Sequence, residues 1–411
     1  MKAYKYRLYP TSAQIERLNW TLSRCCELYN AALQERKDLW NVCKQHPNFY
    51  DTTWREQHAR DYRVSYVDQA NALPELKRDL RREYASIGSH VLQDVLRRVD
   101  KAFQAFFRRV ACGQTPGYPR YHSHKRYESF CFPDQSGWKL KEDRLSITGI
   151  GTIKVKMHRD MKGIVKTTTI KREGTHWYVV FACDVVQEVR YHPSEEAVGI
   201  DLGLLHFATL STAETIENPR YYRRAEKKLK KSGEALRRKK HGSNRRKKAV
   251  QRVARCHRKV RNQRKDFLNK ESRKLVETYG VIVFEKLRTK NLVKRPKPKP
   301  DAETGQFLPN GASQKAGLNK SISDAGWGMF VQYSQHKAEE AGAKVLLVNP
   351  KDTSQICSGC RKKGKHKDLS ERTHICTHCG VVLDRDHNAA LNILKRGQKT
   401  FRLGLSHQEQ S

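Results

Sequence analysis

The sequence predicts a multidomain α+β protein, and three observations support this fold class. Short alternating segments fill much of residues 1–190, and a strongly charged helical stretch interrupts them. The second half combines long helical patterns with a continuously apolar strand of the kind that is buried in parallel sheets. Four cysteines near the end have the spacing of a small metal-bound insert. At 411 residues the chain has room for two or three domains.

The charge of the chain indicates a polyanionic partner. Lys and Arg number 82 against 43 Asp and Glu, which gives a formal net charge of +39. Nucleic acid is the leading candidate, ahead of an anionic membrane surface or a basic protein that is merely soluble. No apolar run approaches the roughly 18 residues that span a bilayer, and Met1–Lys5 begin no secretory signal. We therefore expect a cytoplasmic protein without a membrane partner.

The first elements are a strand and a long helix. Residues 1–9 alternate, and Thr11 with Gln14 has the spacing of a capping box. Apolar residues then recur at steps of three or four as far as Leu33, which predicts an amphipathic helix whose stripe belongs to the core. Residues 1–50 are thus predicted to be the first part of one domain.

Residues 51–112 are predicted to be an inserted helical lobe. The valines Val91, Val95 and Val99 lie on one face of its last helix, with Arg97 opposite them and Arg98 at the flank. Such arginines most often form a solvated helix face. In a chain this basic they are equally consistent with contacts to phosphate.

Residues 113–130 interleave basic and aromatic side chains. Five of them can stack on exposed bases and bind phosphates, namely Tyr118, Arg120, Tyr121, Lys125 and Arg126. The alternative is an ordinary tyrosine-rich loop that packs on its neighbours. Farther on, from residue 137 to 185, the period changes to two, which predicts strands that close a small β-barrel with residues 1–9. Residues 113–190 are therefore assigned to the second part of the first domain.

A second domain is predicted over residues 195–350. Two strands joined by a tight turn begin it, and 21 Lys and Arg then occur between Arg223 and Lys265 against two Glu. A charge run of this kind is a solvated face, a disordered arm, or helices laid against a polyanion. The apolar residues within this segment keep a loose helical spacing, which favours two helices that are separated at Gly242-Ser243.

Further elements of the second domain follow in order. Val281–Phe284 predicts a buried parallel strand, and residues 294–317 a mobile Lys-Pro-rich loop. One helix over 321–341 and one strand over 344–348 come next, and residues 384–396 form the closing helix. This order predicts an RNase H-like α/β layout, with a frayed tail over residues 397–411.

The last four cysteines predict a structural zinc site. Cys357 and Cys360 form one Cys-x2-Cys knuckle, and Cys376 and Cys379 form another after 15 intervening residues. Two such knuckles complete a tetrahedron of thiolates, which leaves no open position for catalysis. We assign residues 351–383 to this insert and expect it to bind one Zn²⁺. The other seven cysteines show no ligand spacing.

Three separated carboxylates predict a metal-dependent nuclease. Asp201 and Glu285 lie at or just after short apolar strands, and Asp386 begins the closing helix. Three shared carboxylates are enough to hold two Mg²⁺ ions against a phosphodiester. Asp384 competes with Asp386 for the third position. We prefer Asp386 because Asn388 and the alanines after it place it at the start of the helix.

At these residues the chain resembles the TnpB (OrfB) proteins of insertion sequences. The resemblance covers nearly the whole chain and rests on several motifs. They are Leu8-Tyr9-Pro10-Thr11 with Gln14, Gly117-Tyr118-Pro119-Arg120, Gly199-Ile200-Asp201-Leu202-Gly203, Glu285-Lys286-Leu287, Ser321-Ile322-Ser323-Asp324-Ala325-Gly326-Trp327, the four cysteines, and Asp384-Arg385-Asp386-His387-Asn388-Ala389-Ala390-Leu391-Asn392-Ile393.

The resemblance implies an RNA-guided DNA endonuclease related to type V CRISPR effectors. The first half would be a wedge barrel with an inserted recognition lobe, and the second a RuvC-like nuclease with a zinc ribbon. Its partners would be a transposon-end guide RNA and a target double-stranded DNA next to a short motif. Asp201, Glu285 and Asp386 match the catalytic triad of the family, and Arg372 matches a position suited to contact the scissile phosphate.

Two other classes of function remain open at this point. One is a non-catalytic, nucleic-acid-binding regulator on the same fold, against which the intact carboxylates argue. The other is a transposase, or an accessory of one, that takes part in strand transfer. The guide sequence, the target-adjacent motif, the cut positions and the oligomeric state do not follow from the sequence.

Overall fold

The computed structural model describes residues 1–58, 60–186, 191–301, 303–364 and 371–408, with the backbone alone over 401–408. The chain divides into two compact units, Met1–Gln187 and Glu188–Ser411. No helix in the described part is long and apolar enough to cross a membrane. The finer domain boundaries predicted above stay predictions.

In its described residues the first unit contains seven strands and five α-helices. Its strands are β1 (Lys2–Tyr9), β2 (Ser129–Phe132), β3 (Trp138–Lys141), β4 (Arg144–Ile147), β5 (Gly151–Lys156), β6 (Ile164–Glu173) and β7 (His176–Asp184). Its helices are α1 (Ser12–Gln45), α2 (Thr52–His58), α3 (Tyr66–Asn71), α4 (Leu73–Glu75) and α5 (Ser89–Ala111). The sequence analysis did not predict β2, which precedes the segment 137–185 in which strands were expected.

The seven strands of the first unit form one antiparallel sheet that curls on itself. The hydrogen-bonded order is β2-β6-β7-β1-β5-β4-β3, so β2 and β3 are its edges in the described residues. Only residues 133–137 join these two edges, and the ring of Trp138 on β3 lies 5.4 Å from that of Phe181 on β7. The predicted barrel is therefore a curled sheet whose edge strands do not hydrogen-bond to each other.

Helices α1 and α5 pack against each other and share one buried core with the strands of this sheet. The predicted capping box is present, because the Thr11 hydroxyl accepts from the Gln14 amide and the Gln14 side chain accepts from the Thr11 amide. Leu18, Leu22 and the predicted valine face of α5 belong to one buried core with the strands. The apolar periodicity thus predicted both helices and the faces that they bury.

The second unit contains nine strands and six helices in its described residues. The strands are β8 (Ala197–Leu202), β9 (His206–Leu210), β10 (Thr215–Glu217), β11 (Val281–Glu285), β12 (Lys299–Pro300), β13 (Phe307–Leu308), β14 (Lys344–Val348), β15 (Thr373–Ile375) and β16 (Val382–Asp384). The helices are α6 (Tyr221–Arg237), α7 (Asn244–Thr278), α8 (Thr289–Leu292), α9 (Ala312–Ala325), α10 (Trp327–Ala341) and α11 (Arg385–Gln408).

A five-stranded sheet organises the second unit. Its order is β10-β9-β8-β11-β14, with β8, β9 and β10 antiparallel and β11 parallel to both β8 and β14. One face packs apolar residues of the sheet against α7 and α10. The other face is covered by α11, where Ile393 packs on Val283 and Val348. The sheet is therefore the middle one of three layers, which agrees with the α/β layout predicted from the order of the elements.

Three sequence predictions in this unit need correction. The single helix expected over 321–341 is two helices, since Gly326 adopts a left-handed conformation (φ 74°) that ends α9 and begins α10. Residues 294–317, predicted to be a mobile Lys-Pro-rich loop, are not a loop throughout, because they contain the β12–β13 hairpin and the beginning of α9. The closing helix does not end at residue 396, because α11 continues to Gln408. Residues 409–411 of the predicted tail and 365–370 of the predicted ribbon lie outside the described residues.

Candidate active site and metal centre

Asp201 and Glu285 come together because β8 and β11 are parallel neighbours. Gly199 pairs with Val283 and Ile200 pairs with Phe284. The two acids follow this last pair on their strands, at the same end of the sheet. Side chains alternate along a strand, so each acid lies on the same face as the residue two positions earlier, Gly199 or Val283. That face is the one that α11 covers.

Two glycines allow α11 to lie directly on this face. A Cβ atom at Gly199 would overlap the backbone of Ala390 and Leu394 on α11, and one at Gly397 would overlap the side chain of Val283. The helix therefore approaches β8 more closely than any larger residue permits. Its first turn then brings Asp386 to the carboxyl ends of the strands, where its Oδ2 lies 4.0 Å from an ideal Cβ position on Gly203.

The pKa of each of the three predicted acids is raised. Burial raises the pKa of Asp201 well above its usual range, and the negative charges of Glu285 and Asp386 raise it further. Burial is also the main cause of the raised pKa of Glu285 and of Asp386. Like charges that are held together in a buried site are stable as anions only when cations compensate them. The oxygen donors and their charge suit a hard divalent cation such as Mg²⁺.

Asp384 and Asp386 have different surroundings. The Oδ1 atom of Asp384 accepts hydrogen bonds from the backbone amides of Asp386 (2.9 Å) and His387 (3.0 Å), so Asp384 caps the N-terminus of α11. Asp386 lies 3.8 Å from the Arg372 guanidinium and has no such capping role. The negative charges of both Asp386 and Asp384 raise the pKa of Asp201, and that of Asp386 has the larger effect, so the choice of Asp386 stays a prediction.

Thr353 is a site residue that sequence reasoning missed. Its hydroxyl donates a hydrogen bond to Oε1 of Glu285 in a buried setting, and this bond favours the ionised form of the carboxyl. Thr353 lies in the turn between β14 and the first cysteine knuckle, where no periodicity marks it. Only the fold shows that the turn passes over the end of β11.

The four predicted zinc ligands form a compact cluster. All four Sγ atoms lie within 4.8 Å of one another, and two of the pairs, Cys357–Cys379 and Cys360–Cys376, are separated by 3.6 Å. Tetrahedral zinc–thiolate bonds of about 2.3 Å place sulfur atoms about 3.8 Å apart, so the cluster fits one zinc ion. The three carboxylates do not form so compact a group in the described part of the chain.

Local backbone structure builds each knuckle. The second is the turn of the β15–β16 hairpin, with the Cys376 amide donating to the Val381 carbonyl (2.9 Å). In the first, the Cys357 amide donates to the Lys362 carbonyl (3.0 Å). The residue after the second cysteine has a positive φ in both knuckles, Gly380 (71°) and Arg361 (67°). The non-glycine at 361 is the more strained of the two.

Two buried asparagines of α11 connect the knuckle to the carboxylate site. Asn388 accepts from the Ser358 amide (2.8 Å) and donates to the Ile356 carbonyl (2.9 Å). Asn392 donates to the carbonyls of Thr353 (3.0 Å) and Ile356 (2.6 Å). The helix that carries Asp386 is therefore hydrogen-bonded directly to the backbone around the first cysteine.

The nucleic-acid residues predicted in the first unit lie mostly at its surface. Arg120, Lys125 and Arg126 are exposed. The Tyr118 ring packs edge-on against Phe103 and Phe106 at 5.7 and 5.3 Å, yet 41% of the residue stays exposed.

Nearby basic side chains already contact some of these rings. Lys37 lies 3.9 Å from the centre of the Tyr121 ring, and 46% of Tyr121 is exposed. A role of these residues in binding bases or phosphates stays a prediction.

Arg97 and Arg98 differ despite their adjacent positions. Arg97 is exposed and lies over the Tyr66 ring at 5.2 Å. Arg98 is largely buried, forms a salt bridge with Asp94 (2.8 Å) and donates to the Ser129 carbonyl (2.7 Å). The salt bridge lies within α5 and the second bond joins α5 to β2, so the fold already uses the guanidinium that the sequence analysis considered for phosphate contact.

Comparisons with known proteins agree with this arrangement. A family model described as a probable transposase (OrfB_IS605) matches residues 180–295, and one described as a Cas12f1-like TNB domain matches 327–393. A "Putative RNA-guided DNA endonuclease" of Streptomyces pristinaespiralis is 31% identical over 403 residues, covering 96% of this chain and 89% of the relative. The chain belongs to the TnpB (OrfB) family.

Other members of the family align over similar lengths. "Putative RNA-guided DNA endonuclease InsQ" of Escherichia coli K12 is 27% identical over 98% of this chain and 94% of its own length. The cryo-EM structure of a Cas12f1–sgRNA–target DNA complex has the same fold class, with a TM-score of 0.52 at 14% identity over 93% of this chain and 82% of that one.

One family model has a description that the structure does not match. It is named a helix-turn-helix domain and covers residues 1–44. In this chain that segment is β1 followed by the single continuous helix α1. These residues therefore do not form a helix-turn-helix motif.

Proposed function

We propose that this protein is an RNA-guided, metal-dependent DNA endonuclease with a RuvC-like active site. The observation that carries the proposal is the convergence of Asp201, Glu285 and Asp386 at one end of the five-stranded sheet. Family membership and the net charge of +39 support nucleic acid as the substrate and as the guide. The partners would be a guide RNA and a matched double-stranded DNA.

The carboxylates suit two-metal phosphodiester hydrolysis. Bound divalent ions would supply an activated water and stabilise the leaving oxygen. Asp201 and Glu285 provide oxygen ligands from rigid strand ends, while Asp386 provides one from the capped start of α11. Arg372 is half exposed beside Asp386, a suitable position for a cation that contacts the scissile phosphate. Zinc bound by the four cysteines would have a structural role, since all four ligand positions are filled.

The test is cleavage by the purified full chain. RNA that co-purifies with the protein is sequenced, and DNA matching its guide segment is offered with Mg²⁺. We expect cleavage of matched DNA only, and we expect Asp201→Ala to retain the RNA while it loses cleavage. Asp266→Ala is the control, because it removes an exposed acid on α7. Cleavage that persists in Asp201→Ala, or that ignores the match, would contradict the proposal.

The same experiment distinguishes the two other classes of function. A non-catalytic regulator would bind matched DNA equally well before and after Asp201→Ala and would cut in neither case. A strand-transfer enzyme would give a joined product when a second DNA is present. The raised pKa values and convergence of the three acids favour the nuclease over the regulator.

A further inference from the structure

A cationic cavity in the second unit lies outside the carboxylate site. It has a volume of about 650 Å³ and is lined by the start of α6, the middle of α7, the segment after α8 and one side of α9. This volume falls within the range of small-molecule sites. Arg264, Arg295, Lys315 and Lys320 line it together with one acid, Asp324.

The charges that line the cavity are only partly compensated. Asp324 binds the Arg264 guanidinium (2.6 Å) and the Tyr222 amide (2.8 Å). Lys320 is paired with Glu226 at 2.7 Å. Neither Arg295 nor Lys315 forms an ion pair with an acid in the described part of the chain. Two uncompensated cations in a concave site favour an anion.

The backbone around the cavity also favours an anion. Helix α9 begins there, and its residues Ala312, Lys315 and Ala316 line the cavity. Its first turn has no acidic residue, and the side chain that accepts from its Ala312 amide (3.2 Å) is that of the neutral Asn310, so no acid compensates the helix dipole at this end. This feature adds to the two cations and points to the same class of ligand.

The cavity also presents an unused donor and acceptor. The Nε atom of Arg264 and the Oδ1 atom of Asn319 are buried and have no hydrogen-bond partner within the described residues. Both residues line the cavity, as does Tyr222. Buried polar groups without partners are unusual in native proteins, so a ligand or a water that bonds to these two atoms would be stabilised in the cavity.

We propose that this cavity binds one nucleotide unit of a single-stranded nucleic acid. Its phosphate is held by Arg295 and Lys315 at the start of α9, and an amino group of its base donates to Asn319. A phosphodiester group or an ionised carboxylate by itself offers no donor to Asn319. A nucleotide supplies both groups and a planar ring of the kind that stacks on tyrosine.

The inference rests on the proposed function for the presence of nucleic acid, but its test is separate. The double variant Arg295→Gln/Lys315→Gln is compared with Lys297→Gln/Lys299→Gln, which removes the same charge from neighbouring exposed positions outside the lining. Binding of the full chain to labelled single-stranded RNA and to single-stranded DNA is measured over a range of salt concentrations. We expect the cavity variant to weaken binding by roughly tenfold or more and to reduce the salt slope, and the control to change affinity by less than about twofold.

Photocrosslinking locates the contact. RNA or DNA that contains a thio-substituted base is irradiated with the wild-type protein, and crosslinked peptides are identified by mass spectrometry. We expect crosslinks to Tyr222 or to α9 that adenosine 5′-monophosphate reduces and inorganic phosphate reduces much less. Whether the RNA or the DNA arm gives them identifies the source of the nucleotide. Asn319→Leu should diminish them without changing the net charge.

Failure of the inference and failure of the proposed function give different results. The nucleotide site would be refuted if the two double variants lost affinity equally, or if inorganic phosphate reduced the crosslinks as well as the nucleotide does. Cleavage by the wild-type protein would be unaffected by either result. A wild-type chain that carries no RNA and cuts no matched DNA would overturn the proposed function instead.

Discussion

The two candidate metal sites of the second unit are assembled in opposite ways. The four cysteines come from two short knuckles, and one of these is simply the turn of the β15–β16 hairpin. The three carboxylates come from β8, β11 and α11, and the first and last of them are 185 positions apart in the chain. Local hydrogen bonds are enough to shape a knuckle, whereas the acids meet only after the sheet and its covering helix have formed. The cysteine cluster therefore depends mainly on local structure, whereas the carboxylate cluster depends on the whole fold of the unit.

The largest effect on the cleavage rate is expected from substitution of the acid in the three-carboxylate cluster, and it distinguishes Asp386 from Asp384. Asp386→Asn should reduce the cleavage rate by about a thousandfold or more, because it removes a proposed ligand of the catalytic ions. Asp384→Asn should retain most of the activity, since asparagine also caps a helix well. Rates on matched DNA at saturating Mg²⁺ measure both. The reverse ranking would assign the ligand to Asp384.

Breaking the cysteine cluster tests whether the local site supports the distant one. Cys376→Ser should lower the zinc content from one ion per chain to nearly none. Because zinc binding stabilises the fold of this insert, the variant should also be less stable. Because Asn388 and Asn392 bond to the backbone beside Cys357, the loss should also weaken cleavage.

Metal analysis and cleavage rates on the same preparations measure these two effects. Cys256→Ser is the matched control, because Cys256 lies on α7, outside the cluster. Full cleavage by a zinc-free Cys376→Ser protein would show that the two sites are independent.

A smaller effect, on stability, is expected when a methyl group is added between α11 and β8. Gly199→Ala should destabilise the protein by about 1–3 kcal/mol, since its Cβ overlaps the helix backbone. Gly233→Ala on α6 is the control, because nothing lies within 4 Å of its added Cβ. That change should be stabilising by about 0.5–1 kcal/mol. Chemical denaturation of both variants measures the difference, and equal stabilities would refute the close approach.

The smallest effect is a pH dependence of stability without added divalent ions. The folded-state pKa values of Asp201, Glu285 and Asp386 are raised, so the folded protein binds more protons than the unfolded chain between the ordinary carboxyl pKa and the raised ones. Stability should therefore fall as the pH rises through that window.

Thermal unfolding as a function of pH measures this dependence. Asp201→Asn should flatten it, Asp266→Asn should leave it unchanged, and Mg²⁺ should stabilise the wild-type protein above the window. An unchanged profile in Asp201→Asn would contradict the electrostatic account of the site.

Pattern in the sequence was sufficient for several features of the fold. The capping box at Thr11, the valine face of α5, the buried strand that ends in Glu285 and the cysteine spacing each depend on residues a few positions apart. Strand β2 escaped prediction because its four residues follow an aromatic and basic loop and stand outside the segment with a clear period of two. The break at Gly326 was missed because one left-handed residue interrupts an otherwise continuous helical pattern.

What the sequence determined by itself was the set of chemical groups: a large positive charge, four thiolates in two knuckles, and acids at the ends of apolar segments. Only the tertiary structure decided that Asp384 caps α11 while Asp386 lies beside Arg372, and that Thr353 donates to Glu285. It also decided that Arg98 is bound internally whereas Arg97 is exposed. The physical reason is that short-range hydrogen bonding and periodicity are encoded by neighbouring residues, whereas contacts between distant segments depend on how strands pair and how closely a helix can pack on them.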